Sequence, residues 1–401
     1  MKGVRLFLLS FTAITFASAA QSQISYNDLI SALVADCPEV KQLVASNKAI
    51  LEAKAAENTL DNPTVETEHL WGRHDVGSKF DLSVSQSFAW PGVYKARAKA
   101  IDANTRASEL LEQAAIADKY IEIEQLVIDI IYQNKAIEVE RKILSHMTEL
   151  EKGNLEGYEL GELTKLDVKK IEIERISSSS NLRKAQRLLE ELYNKLENIT
   201  GRHDCRDLIT GIKDIPETGI LSEEEYENLI DTYDPQLAWL RAQAEAFILD
   251  GKAETMAARS PEFSLGYGFQ REQGESFNGI NASMTLPIFS RRHIANSAKA
   301  YALSAQIQLD ISRMSTISNM RSLRVSVVSM KQELDDYKVV FGQDSYANLL
   351  SIARQGGQLD NLRYLQELNF FLEATRTSLD IEHEYVRSLA ALNRFKAIAE
   401  R

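Results

Sequence analysis

The chain has 401 residues, of which 44% are hydrophobic and 26% charged. That is an ordinary globular balance, which excludes wholesale disorder and leaves room for two or three domains. A formal charge of −12 argues against a nucleic-acid partner, because phosphate binding needs clustered Lys and Arg. Two cysteines, Cys37 and Cys205, are too few for a zinc site or a disulfide-dense scaffold.

The first segment reads as an export signal over residues 1–20. Lys2 and Arg5 form a basic start, Leu6–Phe16 is a short apolar run, and Ala17-Ser18-Ala19 is an A-x-A cleavage pattern. The run is shorter than the ~20 residues a membrane-spanning helix needs, and no later stretch reaches that length. An exported chain of this kind enters a membrane, if at all, as strands.

The seven prolines then divide the chain. Pro38, Pro63 and Pro91 are followed by Pro235, Pro261 and Pro287 at offsets of 197, 198 and 196 residues, with Pro216 alone between the sets. The segment Gly161-Glu162-Leu163 returns as Gly357-Gln358-Leu359, also at 196. A tandem repeat is expected, with a first unit over 21–210, a linker over 211–221 and a second unit over 222–401. Proline is excluded from helix interiors, so the two proline-free stretches, 92–215 and 288–401, are where long helices can run.

Each unit predicts the same elements in the same order. A helix comes first, over Tyr26–Leu60 or Glu223–Arg259, and stops at Asn62-Pro63 or Ser260-Pro261. Two strands follow, Thr64–Trp71 with Phe80–Phe88, and Glu262–Gln270 with Asn278–Leu286. Their period is two: Phe263, Leu265, Tyr267 and Phe269 alternate with Ser264, Gly266 and Gly268. A long helix then runs from Gly92 to about Leu155, and from Ser290 to about Arg354. After a Gly-containing turn a shorter helix returns over Leu163–Thr200 or Leu359–Arg401.

Length constrains how these pack. The outgoing helix spans ~95 Å and its return only ~57 Å. The return helix of the first unit and the opening helix of the second, stacked end to end, would match one long helix. Ile121, Ile123, Leu126, Val127, Ile130 and Ile131 occupy more than one stripe, which suits a helix with neighbours on both sides. The strands have the length and the single apolar face of transmembrane strands, and Trp71 and Trp90 stand at strand ends, where aromatic girdles lie. Open edges are not tolerated in lipid, and four strands are too few for a barrel. Strands that span a membrane here must therefore be shared among several chains. A small soluble sheet capping a helical bundle fits the same alternation.

In this order the chain resembles the TolC-type outer-membrane efflux proteins. The resemblance covers essentially the whole mature chain. It rests on the two-fold repeat, on the strand-to-helix junctions Gln86-Ser87-Phe88-Ala89-Trp90-Pro91-Gly92 and Met284-Thr285-Leu286-Pro287-Ile288-Phe289, and on the tips Leu160-Gly161-Glu162-Leu163 and Gly356-Gly357-Gln358-Leu359. The Pro-Gly-Val-Tyr-Lys-Ala-Arg junction looks most like the CzcC-like metal-efflux branch. The resemblance implies a mainly α fold of long helical hairpins forming a trimeric α-barrel, with four strands per chain in a shared 12-stranded transmembrane β-barrel.

It further implies a homotrimer in outer-membrane lipid, docked to a periplasmic adaptor and an inner-membrane pump of the RND type, with no enzymatic activity and no cofactor. Adaptor docking falls at Leu160, Gly161, Leu163, Gly357 and Leu359. The periplasmic entrance falls at Asp167, Asp360, Arg363 and Gln366, where Arg363 and Gln366 depart from the acidic residues usual in the family. The membrane girdle falls on Trp71, Trp90, Phe263, Tyr267 and Phe269. The resemblance places the regions of Cys37 and Cys205 at mid-height of the tunnel, and export permits oxidation, so a Cys37–Cys205 disulfide is expected.

The six histidines show no i, i+4 spacing to another His or Cys, which argues against a preformed metal site. G-x-S-x-G, H-E-x-x-H, phosphate-loop and G-x-G-x-x-G patterns are absent. The alternatives to an efflux duct are a type I secretion duct and a periplasmic coiled-coil scaffold or adaptor with no pore.

Overall fold

The structure, a computed structural model, describes residues 25–73, 77–210, 212, 215–216, 218–288, 292–342, 346–359 and 361–399. The expected signal segment lies outside these residues. The first half contains α1 (Tyr26–Ala35), α2 (Pro38–Ala56), β1 (Thr64–Trp71), β2 (Ser78–Ala89), α3 (Pro91–Glu159) and α4 (Lys165–Thr200). A short α5 (Cys205–Thr210) leads to the second half. There α6 (Glu223–Tyr233), α7 (Pro235–Arg259), β3 (Glu262–Glu272), β4 (Glu275–Thr285), α8 (Arg292–Gly342), α9 (Tyr346–Gln355), α10 (Asn361–Leu392) and α11 (Arg394–Ala399) follow. The chain is mainly α with one small antiparallel sheet.

The opening helices differ from expectation. Tyr26–Leu60 and Glu223–Arg259 are each two helices, broken before Pro38 and Pro235. A residue preceding proline is pushed out of the α region, and Cys37 (ψ 118°) and Asp234 (ψ 110°) are extended. Each proline then starts the next helix at its first turn, where the missing N–H costs nothing. The Asp234 carboxylate caps α7 by accepting from the Gln236 N–H at 2.9 Å.

The helices form a layer. α3, 69 residues long and so about 100 Å, packs against α2 and α4 on one flank and against α7 and α10 on the other, and α8 packs on α7 and α10. The end-to-end stacking arises within each half, not between the return helix of the first and the opening helix of the second. Where α4 ends, Arg202 pairs with Asp36 at 2.8 Å, just before α2. Where α10 ends, the Asn393 Oδ1 accepts from the Tyr226 hydroxyl of α6 at 2.7 Å. The reason is reach: the 36 residues of α4 climb only about 54 Å, and at that height they meet the opening helix already docked on the same α3.

Two clusters fill this mid-height belt. One gathers Leu29, Ile30, Leu33, Ile123, Leu126, Val127, Ile130 and Leu196. The other gathers Tyr226, Ile230, Leu237, Ile317, Val327 and Leu392. A third, nearer the hairpin tips, joins both halves through Ile143, Met147, Leu150 and Ile171 with Leu350, Leu365, Leu368 and Leu372. These contacts explain why α3 is apolar on more than one side. Between α7 and α8 the backbones meet at Gly251, where an added Cβ would lie 2.2 Å from that of Ala298.

Candidate functional site

The sheet runs β1-β2-β3-β4, antiparallel throughout. Its register sorts the side chains onto two faces. One row reads Val65–Val84–Tyr267–Ile280 across the four strands, and these are 61%, 44%, 55% and 78% exposed. The neighbouring rows of that face hold Leu82 with Phe269, Phe80 with His69, Leu265 with Ala282, and Phe88–Phe263–Met284, with Thr67, Gln86, Arg271, Ser276 and Asn278 as polar exceptions. The opposite face carries Glu66, Glu68, Asp81, Ser83, Ser85, Gly266, Gly268, Gln270, Asn281 and Ser283 in the alternate rows, with Leu70 and Phe277 as apolar exceptions near the far end. Strand alternation alone produces this sorting. β1 and β4 are exposed on both faces, and an apolar sheet face left uncovered departs from the usual soluble arrangement, in which that face packs on the core. Among the described residues, β1 and β4 each pair on one side only.

Aromatic rings stand at both ends of the apolar face. At the far end Trp71, 83% exposed, meets His69 at 4.7 Å, and Phe80 lies 6.2 Å from His69 and 6.5 Å from Phe269. At the helix end Trp90, the residue before α3, lies 6.0 Å from Phe263. Tyr267 sits between the two groups. The five aromatic residues singled out from the sequence thus share one face or its margin.

At the opposite end of the molecule, Leu160 and Gly161 turn α3 into α4, and Gly357 turns α9 toward α10. Gly161 (φ +76°) and Gly357 (φ +67°) take the left-handed conformation that reverses a chain after a helix. Leu160 is 75% exposed. Leu163 folds back onto Gly157, and Leu359 packs on the tip cluster. Of the tip leucines, only Leu160 projects outward. Leu166, on the first turn of α4, is also exposed and was not singled out from the sequence.

The entrance candidates fall into separate roles. The Asp167 carboxylate accepts from the Thr164 N–H at 3.1 Å and hydroxyl at 2.6 Å, closing a capping box at the start of α4. Those hydrogen bonds hold its carboxyl below the usual range. Arg363 and Gln366 are exposed on the first turns of α10, and Asp360 lies outside the described residues. Cys37 and Cys205 are buried free thiols, which corrects the expected disulfide. The Cys205 thiol is engaged elsewhere, 3.5 Å from the Thr200 hydroxyl and 3.6 Å from the Arg202 carbonyl. Burial pushes it up.

Sequence reading missed the polar seam between α3 and α10. Arg376 makes two hydrogen bonds, at 2.7 and 3.1 Å, to the buried Glu140 carboxylate. Asp129 takes His383 at 2.8 Å and Arg387 at 3.2 Å. The Tyr132 hydroxyl donates to Glu382 at 2.8 Å; burial, then that carboxylate, raises its pKa. These partners lie more than 230 residues apart, so no local spacing signals them. Among the described residues, no group of three or more His, Cys, Asp or Glu is placed to hold a metal ion. Nor, among them, is any helix long and apolar enough to cross a membrane.

No protein-family profile matches the chain, and no curated protein does. Solved structures do match it over nearly its full length. A membrane protein from Pseudomonas aeruginosa is similar at TM-score 0.74 and 15% identity, over 94% of this chain and 90% of that one. The Campylobacter jejuni CmeC outer membrane channel is similar at 0.74 and 15%, over 96% and 90%. The outer membrane protein VceC from Vibrio cholerae is similar at 0.71 and 15%, over 92% and 98%.

Proposed function

We propose that this chain, which has the fold of the TolC-type outer-membrane channels, is the passive exit duct of a tripartite efflux system and carries out no chemistry of its own. The observation that carries this reading is the sheet, with its exposed apolar face, its polar face and its two edges open to further pairing. From the Phe263 row, which holds Phe88, to the Trp71 row, which holds Ser78, is ten residues on β2, about 33 Å along the strand. At the ~40° tilt of membrane barrels that is about 25 Å, the height of their apolar band. Open edges cannot stand in lipid, and a membrane barrel needs about eight strands or more. Three chains supply twelve and give a polar lumen continuous with a helical tunnel. A soluble scaffold would leave the Val65–Val84–Tyr267–Ile280 row in water, which disfavours that alternative.

In this reading the helical part lies in the periplasm. The tips at Leu160, Gly161 and Gly357 meet an adaptor protein, with Leu163 and Leu359 bracing the turns from inside. An inner-membrane pump of the RND type supplies the energy. The cargo is small molecules or metal ions. A wide aqueous duct does not have to bind what it passes, so metal-ligand clusters are not required for it.

The test is the mass of the mature protein released from cell envelopes with and without detergent. A particle of three chains released only by detergent is expected. A monomer or dimer released by plain buffer would end the shared-barrel reading.

A further inference from the structure

The helical layer has two free flanks, and their side chains match. On α4 the positions facing away from α3 recur at spacings of 7, 4, 7 and 4 residues: Leu166, Ile173, Ser177, Lys184 and Leu188, all exposed. On α8 the positions facing away from α7 and α10 recur at 4, 7, 4, 7, 4 and 7: Leu303, Ile307, Met314, Ser318, Val325, Ser329 and Asp336, again all exposed. A 7/4 alternation is an 11-residue period, about 3.67 residues per turn, whose stripe drifts only about 20° per repeat and favours a slight right-handed coil. Each stripe is apolar with serines interspersed (Ser177; Ser318 and Ser329) and carries one charge, basic on α4 and acidic on α8.

The two charges stand at the same height. Arg175 pairs with Glu151 at 2.7 Å, and Gln133 donates to the Ala185 carbonyl at 2.9 Å, so Lys184 lies level with about residue 140 of α3. Arg376 of α10 is level with Glu140. Five residues earlier, Phe371 meets Phe341 of α8, which places Arg376 level with about residue 336 of α8. Each charge has reinforcement. Arg183 and Arg187 flank Lys184, and together with Arg141 line a groove of about 580 Å³ between α3 and α4 that also holds Glu138 and the Glu190–Arg206 pair. Glu333 lies one turn before Asp336, and the neighbouring Asp335 is paired with Lys338 at 4.0 Å. Neither Arg141, Arg183, Lys184 and Arg187 nor Asp336 makes an ion pair with the described residues. A cluster of like charges on one helix face is unfavourable by itself, and an acidic partner removes that cost.

We infer that the Arg183/Lys184/Arg187 patch of α4 receives Asp336 and Glu333 on α8 of a second copy of this chain, and that this contact sets the vertical register between copies. It is a head-to-tail contact, which closes a ring when the rotation between copies is a whole fraction of a turn, as in the three-chain reading. Its direction agrees with the sheet, where β4 leads into α8 and β1 follows α2, so the same turn of the ring would bring the free edge of β4 to the free edge of β1. The inference rests on the shared-channel reading and adds the residues that align its protomers.

The test is the oligomeric state of the full chain in detergent on dilution, with a Lys184→Glu/Arg187→Glu variant, an Asp336→Lys/Glu333→Lys variant, and the two combined. All positions are exposed, and helicity by circular dichroism checks the fold. Each one-sided variant is expected to dissociate at a protein concentration at least tenfold higher than the parent chain, and the combined variant to recover most of that loss. A short bis-maleimide is expected to link chains carrying Arg187→Cys with Asp336→Cys into multimers, since Cys37 and Cys205 are buried. A parent oligomer whose one-sided variants dilute like the parent overturns the seam alone. A monomeric parent chain in detergent overturns the shared-channel reading and the seam with it.

Discussion

The Tyr226 hydroxyl is tied at both ends of its reach. It donates to the Asn393 Oδ1 at 2.7 Å and accepts from the Leu221 N–H at 3.2 Å, while Asn393 also donates to the Thr218 hydroxyl and the Gly219 carbonyl. One buried tyrosine thus clamps the segment after the linker to the end of α10. Tyr226→Phe keeps the ring and strands a buried donor and acceptor. It is expected to cost about 1–3 kcal/mol, read as a lower urea midpoint with an unchanged slope.

Asp234 gives a pH dependence. It is buried, and burial pushes its carboxyl above the usual range, opposed by the Gln236 N–H and the charge of Arg394 and reinforced by nearby Asp118. Between the ordinary value of about 3.9 and the raised one, the native chain holds a proton that the unfolded chain has released. Stability therefore falls as pH rises through that window. Asp234→Asn keeps a capping oxygen for Gln236 and removes the buried charge. Urea unfolding from pH 4 to 7 is expected to show a smaller fall for the variant than for the parent chain.

At the scale of elements, the sheet carries the sharpest contrast. Ile280 and Asn281 are neighbours on β4 and face opposite ways. Ile280→Arg puts a charge in the middle of the apolar rows, where lipid would make it cost about 2–4 kcal/mol. Asn281→Arg puts the same charge on the polar face, where the aqueous side tolerates it. Unfolding from lipid vesicles is expected to show the first loss and not the second. Equal effects would mean that the apolar face packs on protein. The strands themselves were legible to within two residues at most ends, because a period of two with Gly and Pro at the borders is a local signal. The helix breaks at Cys37-Pro38 and Asp234-Pro235 were also written locally, in the prolines, but an amphipathic run across them read as one helix.

For the whole molecule, the two halves depend on each other unevenly. The mid-height clusters are each built within one half, while the tip cluster is shared and α3 packs along both α7 and α10. Residues 25–210 and 218–401 produced as separate chains are therefore expected to co-purify when co-expressed. Each alone is expected to lose protection from proteolysis first near Met147, Leu150 and Leu368. Full protection of either half by itself would show that the seam between halves contributes little.

The amino-acid sequence by itself determined the order of the strands and long helices, the length of the first long helix and the two-sided character of the strands, whereas the second long helix, expected to about Arg354, is described as α8 to Gly342 and a separate α9. Proline exclusion, side-chain period and the 196-residue recurrence all act over a few residues or as simple self-similarity. Tertiary structure decided which helix stacks on which, that Asp167 caps a helix, that Leu163 and Leu359 turn inward, and that Cys37 and Cys205 are buried as free thiols. It also decided the Glu140–Arg376 and Asp129–His383 pairs. Each of these depends on where a helix of given length ends in space and on which residue, hundreds of positions away, stands at the same height, and no local pattern encodes that distance.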